Sequence, residues 1–389
     1  MMDMPYTFAP QARLLDFMRQ AGDSNLINLA AGLPSVDCVP KAALKRAFDE
    51  TFNEEPDFAL GYHTPDGDYG LRVKIAERFE RRGIKVTAED LVMTTGCTQA
   101  LHGMIRLHAK AGDVVACEAP AYYATLEMLG DTGVRVMPIP VANAQGVDLD
   151  LVSTLFERFH PKLFVLCSTI SNPSGTTIPN YARRALVEIC RRSNTHILED
   201  EIYGDLSEIV GLRPIRSYDD GSLVSYVTSF SKTVAPGIRI GVCVPGGNTD
   251  RFAQLKCQQD MHSATLCEVA FRRYLEIANL DSHLEYLKNL NRQRRELAAK
   301  LIQEYFPKDA VIWVPEGGFL LWVEFPEQID IETAYKAALS RNVAFSRGKA
   351  FYTRPGTKVS AMRINCSRPS TEELVRGIEI LGEILSQRL

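Results

Sequence analysis

Lys232 closes the run Ser229-Phe230-Ser231-Lys232, directly after an apolar stretch, and Arg239 follows seven residues later in Pro236-Gly237-Ile238-Arg239. An amine held among hydroxyls at a strand end suits condensation with a carbonyl, because burial and cationic neighbours lower its pKa. Ser229, Ser231 and Arg239 are phosphate ligands by type. An ordinary surface lysine in a loop is the competing reading of this segment alone.

Five further segments carry comparable chemistry. Asp200-Glu201-Ile202-Tyr203 follows the apolar run His196–Glu199. A carboxylate there can keep a pyridine nitrogen protonated and make the ring an electron sink, with Tyr203 reaching the ring's phenolic oxygen. A plain N-cap Asp is the alternative. Ser171-Asn172-Pro173-Ser174-Gly175 reads as a turn that also offers the Asn172 amide. Gly96-Cys97-Thr98 stands between a strand and a helix, where free N–H groups suit a phosphate, although a simple strand-to-helix turn explains it equally. Of Tyr122 and Tyr123, Tyr122 is favoured to stack on a planar ring, and packing is the default role for either. Arg363 lies inside the apolar run Ala361–Cys366, so it needs a partner, either a ligand carboxylate or a structural acid.

Several classes of function find no footing. The chain has 44 basic and 48 acidic residues, a formal net charge of -4. That balance supplies no footprint for nucleic acid and no basic patch for a membrane surface. No apolar run approaches the ~20 residues of a membrane span, and the N-terminus lacks a signal-peptide pattern. HExxH, zinc-type His/Cys spacings, GxSxG, the P-loop and a dinucleotide glycine fingerprint are missing, so no metal site is expected. Nine dispersed cysteines point to reduced thiols and a cytoplasmic location.

The elements that must position these residues follow from periodicity. Short β-branched runs at 90–95, 113–117, 163–168, 196–199, 224–228 and 241–244 alternate with helical patterns such as 99–110. That alternation predicts an α/β fold with a mainly parallel sheet covered on both faces. Beyond it come a long charged helix over 280–306, a strand near 318–324, a helix over 331–340, a strand over 361–366 and a final helix over 371–388. This tail predicts a smaller α+β unit. The division expected is an N-terminal arm with part of the small domain (1–48), a large domain (49–270) and a small C-terminal domain (271–389).

Taken in this order, the segments resemble the fold-type-I pyridoxal-5′-phosphate (PLP) enzymes, specifically the class I and II aminotransferases. The resemblance begins at Leu29-Ala30-Ala31-Gly32-Leu33-Pro34, continues through Gly61-Tyr62-His63-Thr64-Pro65 and reaches the C-terminal helix. It implies a mostly parallel seven-stranded sheet between helices. It also implies Lys232 as Schiff-base lysine and proton carrier, Asp200 on the ring nitrogen, Asn172 and Tyr203 on the phenolic oxygen, and Tyr122 as the stacking ring. Gly96, Cys97, Thr98, Ser229, Ser231 and Arg239 correspond to the phosphate cup, with Tyr62 reaching in from a neighbouring subunit of a homodimer. Arg363 matches the clamp on the substrate carboxylate, and Gly32 the glycine that admits substrate. The activity implied is ping-pong transfer of an amino group between an α-amino acid and a 2-oxo acid. A PLP-dependent lyase, cyclase or oxidase with the same site is the alternative. LAAGLP and TTGCTQAL resemble the 2-aminoadipate and kynurenine subgroup, which also occurs as the effector domain of some regulators. No DNA-binding segment is expected, because the chain starts close to the catalytic part. Cys97 departs from the family pattern, which commonly has a serine there.

Overall fold

The computed structural model describes every residue except 1–3, 10–12, 24, 142–145, 355–356, 358 and 387–389. In chain order the first strands are β1 (Ile27–Asn28), β2 (Val92–Thr95), β3 (Val114–Ala119), β4 (Arg135–Pro140) and β5 (Leu163–Cys167). They continue as β6 (His196–Asp200), β7 (Val224–Ser229) and β8 (Ile240–Val244). Strands β2 to β8 form one seven-stranded sheet in the order β2-β8-β7-β6-β5-β3-β4, with β8 antiparallel to both neighbours and the remaining pairs parallel.

Both faces of this sheet are buried, which is why its strands read as unbroken apolar runs. Val115, Leu163, Val165 and Leu198 point to one face, with residues of α5 (Cys97–His108), α6 (Tyr123–Thr132) and α9 (Thr249–Asp260). Ala116, Phe164, Leu166 and Ile197 point to the other, with α7 (Leu149–Phe159) and α8 (Asn180–Ser193). Strand β4 was absent from the expected set. It carries Pro138 and Pro140 and pairs only with β3 among the sheet strands, an edge position where a missing N–H costs little. Helix α5 starts two residues earlier than its apolar period implies. Gly96 takes φ +79°, a left-handed conformation, and turns β2 straight into the helix without a side-chain cap.

The C-terminal region holds β9 (Val311–Trp313), β10 (Leu320–Glu324), β11 (Val343–Ala344), β12 (Ser346–Arg347) and β13 (Ala361–Asn365). An antiparallel sheet, β12-β13-β10-β9, packs with α11 (Leu280–Tyr305), α12 (Ile331–Ser340) and α13 (Thr371–Ser386). The last two residues of the helix expected over 371–388 lie outside the described residues. The N-terminal segment joins this region, because β1 pairs in parallel with β11. Ahead of β1, helix α1 (Arg13–Ala21) reaches back to the large sheet's side, where Phe17 stacks on Tyr123 at 4.4 Å between centroids.

Side-chain alternation along β6 sorts its acids. Asp200 shares a face with Leu198, toward α5, whereas Glu199 and Glu201 point to the α8 face and are fully buried. Arg183 of α8, itself fully buried, meets Glu201 at 3.4 Å and donates to the Ser168 carbonyl and the Thr169 hydroxyl at 2.7 Å each. Arg82 adds a second guanidinium to Glu201 at 2.6 Å, and Ser168 donates to Glu199 at 2.5 Å and to Glu201 at 2.9 Å. Removing one member leaves a buried charge uncompensated. Arg183→Met should therefore lower the unfolding free energy by about 3–5 kcal/mol. An unchanged urea midpoint in that variant would contradict this account of what anchors β6.

Candidate active site

The C-terminal ends of β5, β6 and β7, the start of α5 and helix α1 line a cleft of about 870 Å³, the open space at its mouth included. Its walls include Lys232, Asp200, Asn172, Tyr203, Tyr122, Cys97, Thr98, Ser229, Ser231, Arg239 and Gly32. Residues from across the sequence thus converge on one space, the crevice where parallel α/β sheets bind ligands.

Lys232 lies just past β7, and its Nζ donates to the Gly32 carbonyl at 2.6 Å across 200 residues of chain. Enclosure in the protein, with the Arg363 and Arg239 guanidiniums nearby, lowers its pKa to about 8. Asp200 ends β6. Its Oδ1 accepts the Ile202 N–H at 3.1 Å and the Cys97 thiol at 3.5 Å. Burial raises the Asp200 carboxyl to about 6, with Glu201 adding to the rise and Lys232 opposing it. Burial, with Asp200 beside it, pushes the Cys97 thiol well up, so it stays protonated and acts as the donor. The serine expected from the family pattern is thus replaced by a weaker donor aimed at Asp200.

An anion pocket closes one end of the cleft. Arg239 donates to the Ser231 hydroxyl at 3.1 Å and to the Thr95 carbonyl at 3.0 Å, from a left-handed backbone at φ +55°. A Cβ on Gly96 would lie 2.0 Å from Arg239 Nη2, so only glycine lets the guanidinium lie over the start of α5. The first N–H groups of that helix lack intrahelical partners and carry its positive dipole end. Ser229 donates to the Ile240 carbonyl at 2.7 Å and shares a 2.8 Å contact with Ser231, and both serines line the cleft.

Arg363, on β13, has no solvent exposure. It donates to Asn172 Oδ1 at 2.6 Å, to the Ser346 hydroxyl at 2.9 Å and to the Ala30 carbonyl. Among the described residues no carboxylate pairs with it, and its Nε has no partner. A buried guanidinium in that condition fits a ligand carboxylate better than a structural salt bridge. The bond to Arg363 also orients Asn172: its oxygen is occupied, so its N–H groups are free for the cleft. A methyl on Gly32 would lie 3.7 Å from Arg363 Nη1, in the space such a carboxylate needs. Tyr203 packs edge-on against Phe319, with centroids 5.8 Å apart, and Tyr122 lies 4.7 Å from Tyr123.

Tyr62 lies apart from this group. It is 84% exposed, with its ring edge-on to His262 at 5.5 Å. Apart from Tyr123, weighed beside Tyr122, and Leu33 of the segment 29–34, the apolar walls escaped sequence reasoning. Leu14, Phe17 and Met18 of α1, with Leu33, Tyr123 and Ile202, give the cleft an apolar side. Helix α1 was not read from the sequence, and nothing local says that a segment some 200 residues from Lys232 folds over it. Arg13 faces an adjoining cavity instead and donates to the Ala350 and Tyr352 carbonyls at 2.7 and 3.2 Å.

These donors fit PLP. The α5 N-terminus, Arg239 and Ser231 suit a phosphate, Lys232 an aldehyde, Asp200 a protonated ring nitrogen, and the Gly96 cradle leaves room for the phosphate end.

Comparisons with known proteins agree with this chemistry. The model of the family "Aminotransferase class I and II" matches residues 24–381. Aromatic-amino-acid aminotransferase 1 of Thermococcus litoralis is 29% identical over 387 residues, covering 97% of this chain and 92% of that protein. Two solved structures superpose closely. The α-aminoadipate aminotransferase LysN of Thermus thermophilus, complexed with N-(5′-phosphopyridoxyl)-L-leucine, has a TM-score of 0.89 at 26% identity, covering 96% of this chain and 95% of that one. The kynurenine aminotransferase of Pyrococcus horikoshii has a TM-score of 0.91 at 27% identity, covering 97% and 95%.

The depressed pKa of Lys232 has a measurable consequence. Above pH 8 its amine is mostly neutral, whereas an ordinary lysine stays charged to about pH 10.4. When PLP is added to protein stripped of it, the visible absorbance should grow faster as pH rises, with the increase centred near 8. A profile centred above 10 would show that the amine is not enclosed as described.

Proposed function

This chain belongs to the class I and II aminotransferases and uses PLP, and we propose that it transfers the amino group of an α-amino acid with a bulky apolar or aromatic side chain to a 2-oxo acid. One site alternates between two forms of the cofactor, so the kinetics are ping-pong. The observation that carries the reading is a cleft lined by a low-pKa amine and a buried carboxylate, with a buried guanidinium behind its Asn172 and Gly32 walls that has no acid partner among the described residues.

PLP, when bound, supplies an aldehyde carbon and a ring that takes up electrons from the bond being broken. The residues do the rest. Arg239, Ser231, Thr98 and the first N–H groups of α5 hold the phosphate, with Gly96 and Cys97 shaping its floor and Ser229 supporting Ser231. Asp200 keeps a proton on the ring nitrogen. Asn172 and Tyr203 donate to the ring's phenolic oxygen, and Tyr122 packs against its face. Arg363 takes the substrate carboxylate in two parallel hydrogen bonds, and Gly32 leaves room for it. Lys232 Nζ, whose lowered pKa of about 8 makes its proton easier to lose than an ordinary lysine's, accepts in its neutral form the proton from the substrate's Cα and returns it to the neighbouring reacting carbon. Binding energy from phosphate and carboxylate goes into orienting the Cα–H bond.

The apolar walls support the substrate class. Leu14, Phe17, Met18, Leu33 and Tyr123 can cover an aliphatic or aromatic side chain, whereas a second carboxylate among them would be buried without a partner. The exposed Tyr62, with Phe58, Leu60 and Tyr69 also exposed, supports a homodimer in which Tyr62 reaches the neighbouring subunit's phosphate. The nine unpaired cysteines support a cytoplasmic location, and the charge balance supports small-molecule partners and not nucleic acid. No described helix is long and apolar enough to cross a membrane. For the domain limits 1–48, 49–270 and 271–389, the support is that the seven-stranded sheet falls within the second span and the four-stranded sheet within the third.

Leucine or phenylalanine mixed with the PLP-loaded protein should give pyridoxamine phosphate and the matching 2-oxo acid, detected by mass. Aspartate should react with a kcat/KM lower by on the order of 10²-fold. Ammonia release without pyridoxamine phosphate would reject transamination. Arg363→Lys, which loses the two-pronged geometry, should lower kcat/KM by about 10–100-fold, mainly through KM. Lys232→Ala should lose the visible absorbance altogether.

A further inference from the structure

Glu118, near the end of β3, is a buried acid outside the machinery described so far. Its Oε1 accepts the Cys167 N–H at 2.9 Å, and its Oε2 accepts the Ser171 hydroxyl at 2.8 Å. Cys167 is the last residue of β5 and the register partner of Asp200 on β6. Ser171 immediately precedes Asn172. Four residues after Glu118 itself comes Tyr122. One carboxyl therefore touches both ends of the segment leading from β5 to Asn172, from the strand that leads to Tyr122.

The turn beyond Ser171 is built around that residue, which accepts the Gly175 N–H at 2.6 Å and donates its own N–H to the Thr176 carbonyl at 2.8 Å. Holding Ser171 thus holds the whole turn. Among the described residues no cation pairs with Glu118, and burial, with Asp200 nearby, raises its carboxyl to about 8. A neutral carboxyl keeps both contacts, since a hydroxyl can donate or accept. It also spares the cleft a second negative charge beside Asp200, which would compete for the positive groups there.

We propose that Glu118 is a positioning residue: its carboxyl ties the Ser171–Asn172 turn to the end of β5 and so fixes the Asn172 amide relative to Asp200. The inference rests on the reading of Asn172 and Asp200 as cofactor ligands. Glutamine preserves the arrangement, its oxygen accepting from Cys167 and its amide donating to Ser171. Alanine removes both ties, whereas Ser171→Ala removes one and leaves the Cys167 N–H satisfied.

Two measurements on the PLP-loaded protein separate the outcomes. Hydrogen exchange reads the tie itself. Exchange at Cys167 should accelerate in Glu118→Ala, and across 171–176 in both alanine variants, with Glu118→Gln close to wild type. PLP affinity reads what the tie is for. It should fall about fivefold in Ser171→Ala, the equivalent of one neutral hydrogen bond, and about 10–100-fold in Glu118→Ala. Adding Glu118→Ala to Asn172→Ala should weaken PLP binding by less than Glu118→Ala alone does, because the group being positioned is gone. Unchanged exchange in Glu118→Ala overturns the proposal, as does a glutamine variant that falls as far as alanine. Faster exchange with unaltered PLP affinity makes Glu118 a packing residue only and also overturns it, provided Asn172→Ala binds PLP more weakly. If Asn172→Ala binds PLP normally, the assignment of Asn172 is wrong, and the proposal falls with it. Should Glu118→Ala fail to fold, Ser171→Ala and Glu118→Gln decide the question by the same two readouts.

Discussion

Lys232 is enclosed with two guanidiniums nearby, Arg363 and Arg239, and among the described residues Asp200 is the main charge that opposes them. An ammonium in that company is repelled and poorly solvated, so the proton leaves at a pH where an exposed lysine would keep it. The cleft is thereby short of negative charge. A phosphate, a carboxylate and a phenolic oxygen are the groups its donors are arranged to accept, and all three belong to the ligands of a PLP enzyme. The absence of an acidic partner for Arg363 among the described residues and the low pKa of Lys232 both reflect this one imbalance.

Keeping that imbalance requires rigid walls. Glu199 and Glu201 flank Asp200 in the chain, yet strand alternation sends them to the opposite face, where Arg183 and Arg82 neutralise them. Three acids in succession therefore serve two purposes: one faces the ligand and two anchor the strand that presents it. The cost is stringent packing. A Cβ on Gly204 would come within 1.9 Å of Glu201 Oε2, so that network closes only over a glycine. On the ligand side, Gly96 leaves the same kind of opening for Arg239.

The open face of the cleft is finished by chain segments remote in sequence. Arg363 comes from the C-terminal sheet, Gly32 from the loop after β1, and Phe17 from α1. The parallel pairing of β1 with β11 holds the loop and Arg363 together, since Ala30 and Asn28 lie at that joint and Ala30 accepts from Arg363. The groups proposed to meet the substrate carboxylate and side chain thus come from parts of the chain that the packing of the two sheets brings together.

By itself the sequence determined the α/β class, most strand cores, the helix after β2 and the C-terminal helices, and nearly all the polar residues of the cleft. Those residues sit in local motifs at strand ends, where turn chemistry, helix starts and apolar runs leave a readable pattern. It did not disclose β4, whose prolines hide an edge strand, or the start of α5, where glycine geometry replaces a cap. Tertiary structure alone decided which side chains are short of partners. That Arg363 meets no acid among the described residues, that the Asn172 oxygen is taken by Arg363, and that Glu118 spans two segments are facts about distances between residues up to 191 positions apart. The apolar wall from α1 belongs with them, because a helix's pattern shows that one face is buried but not what it is buried against.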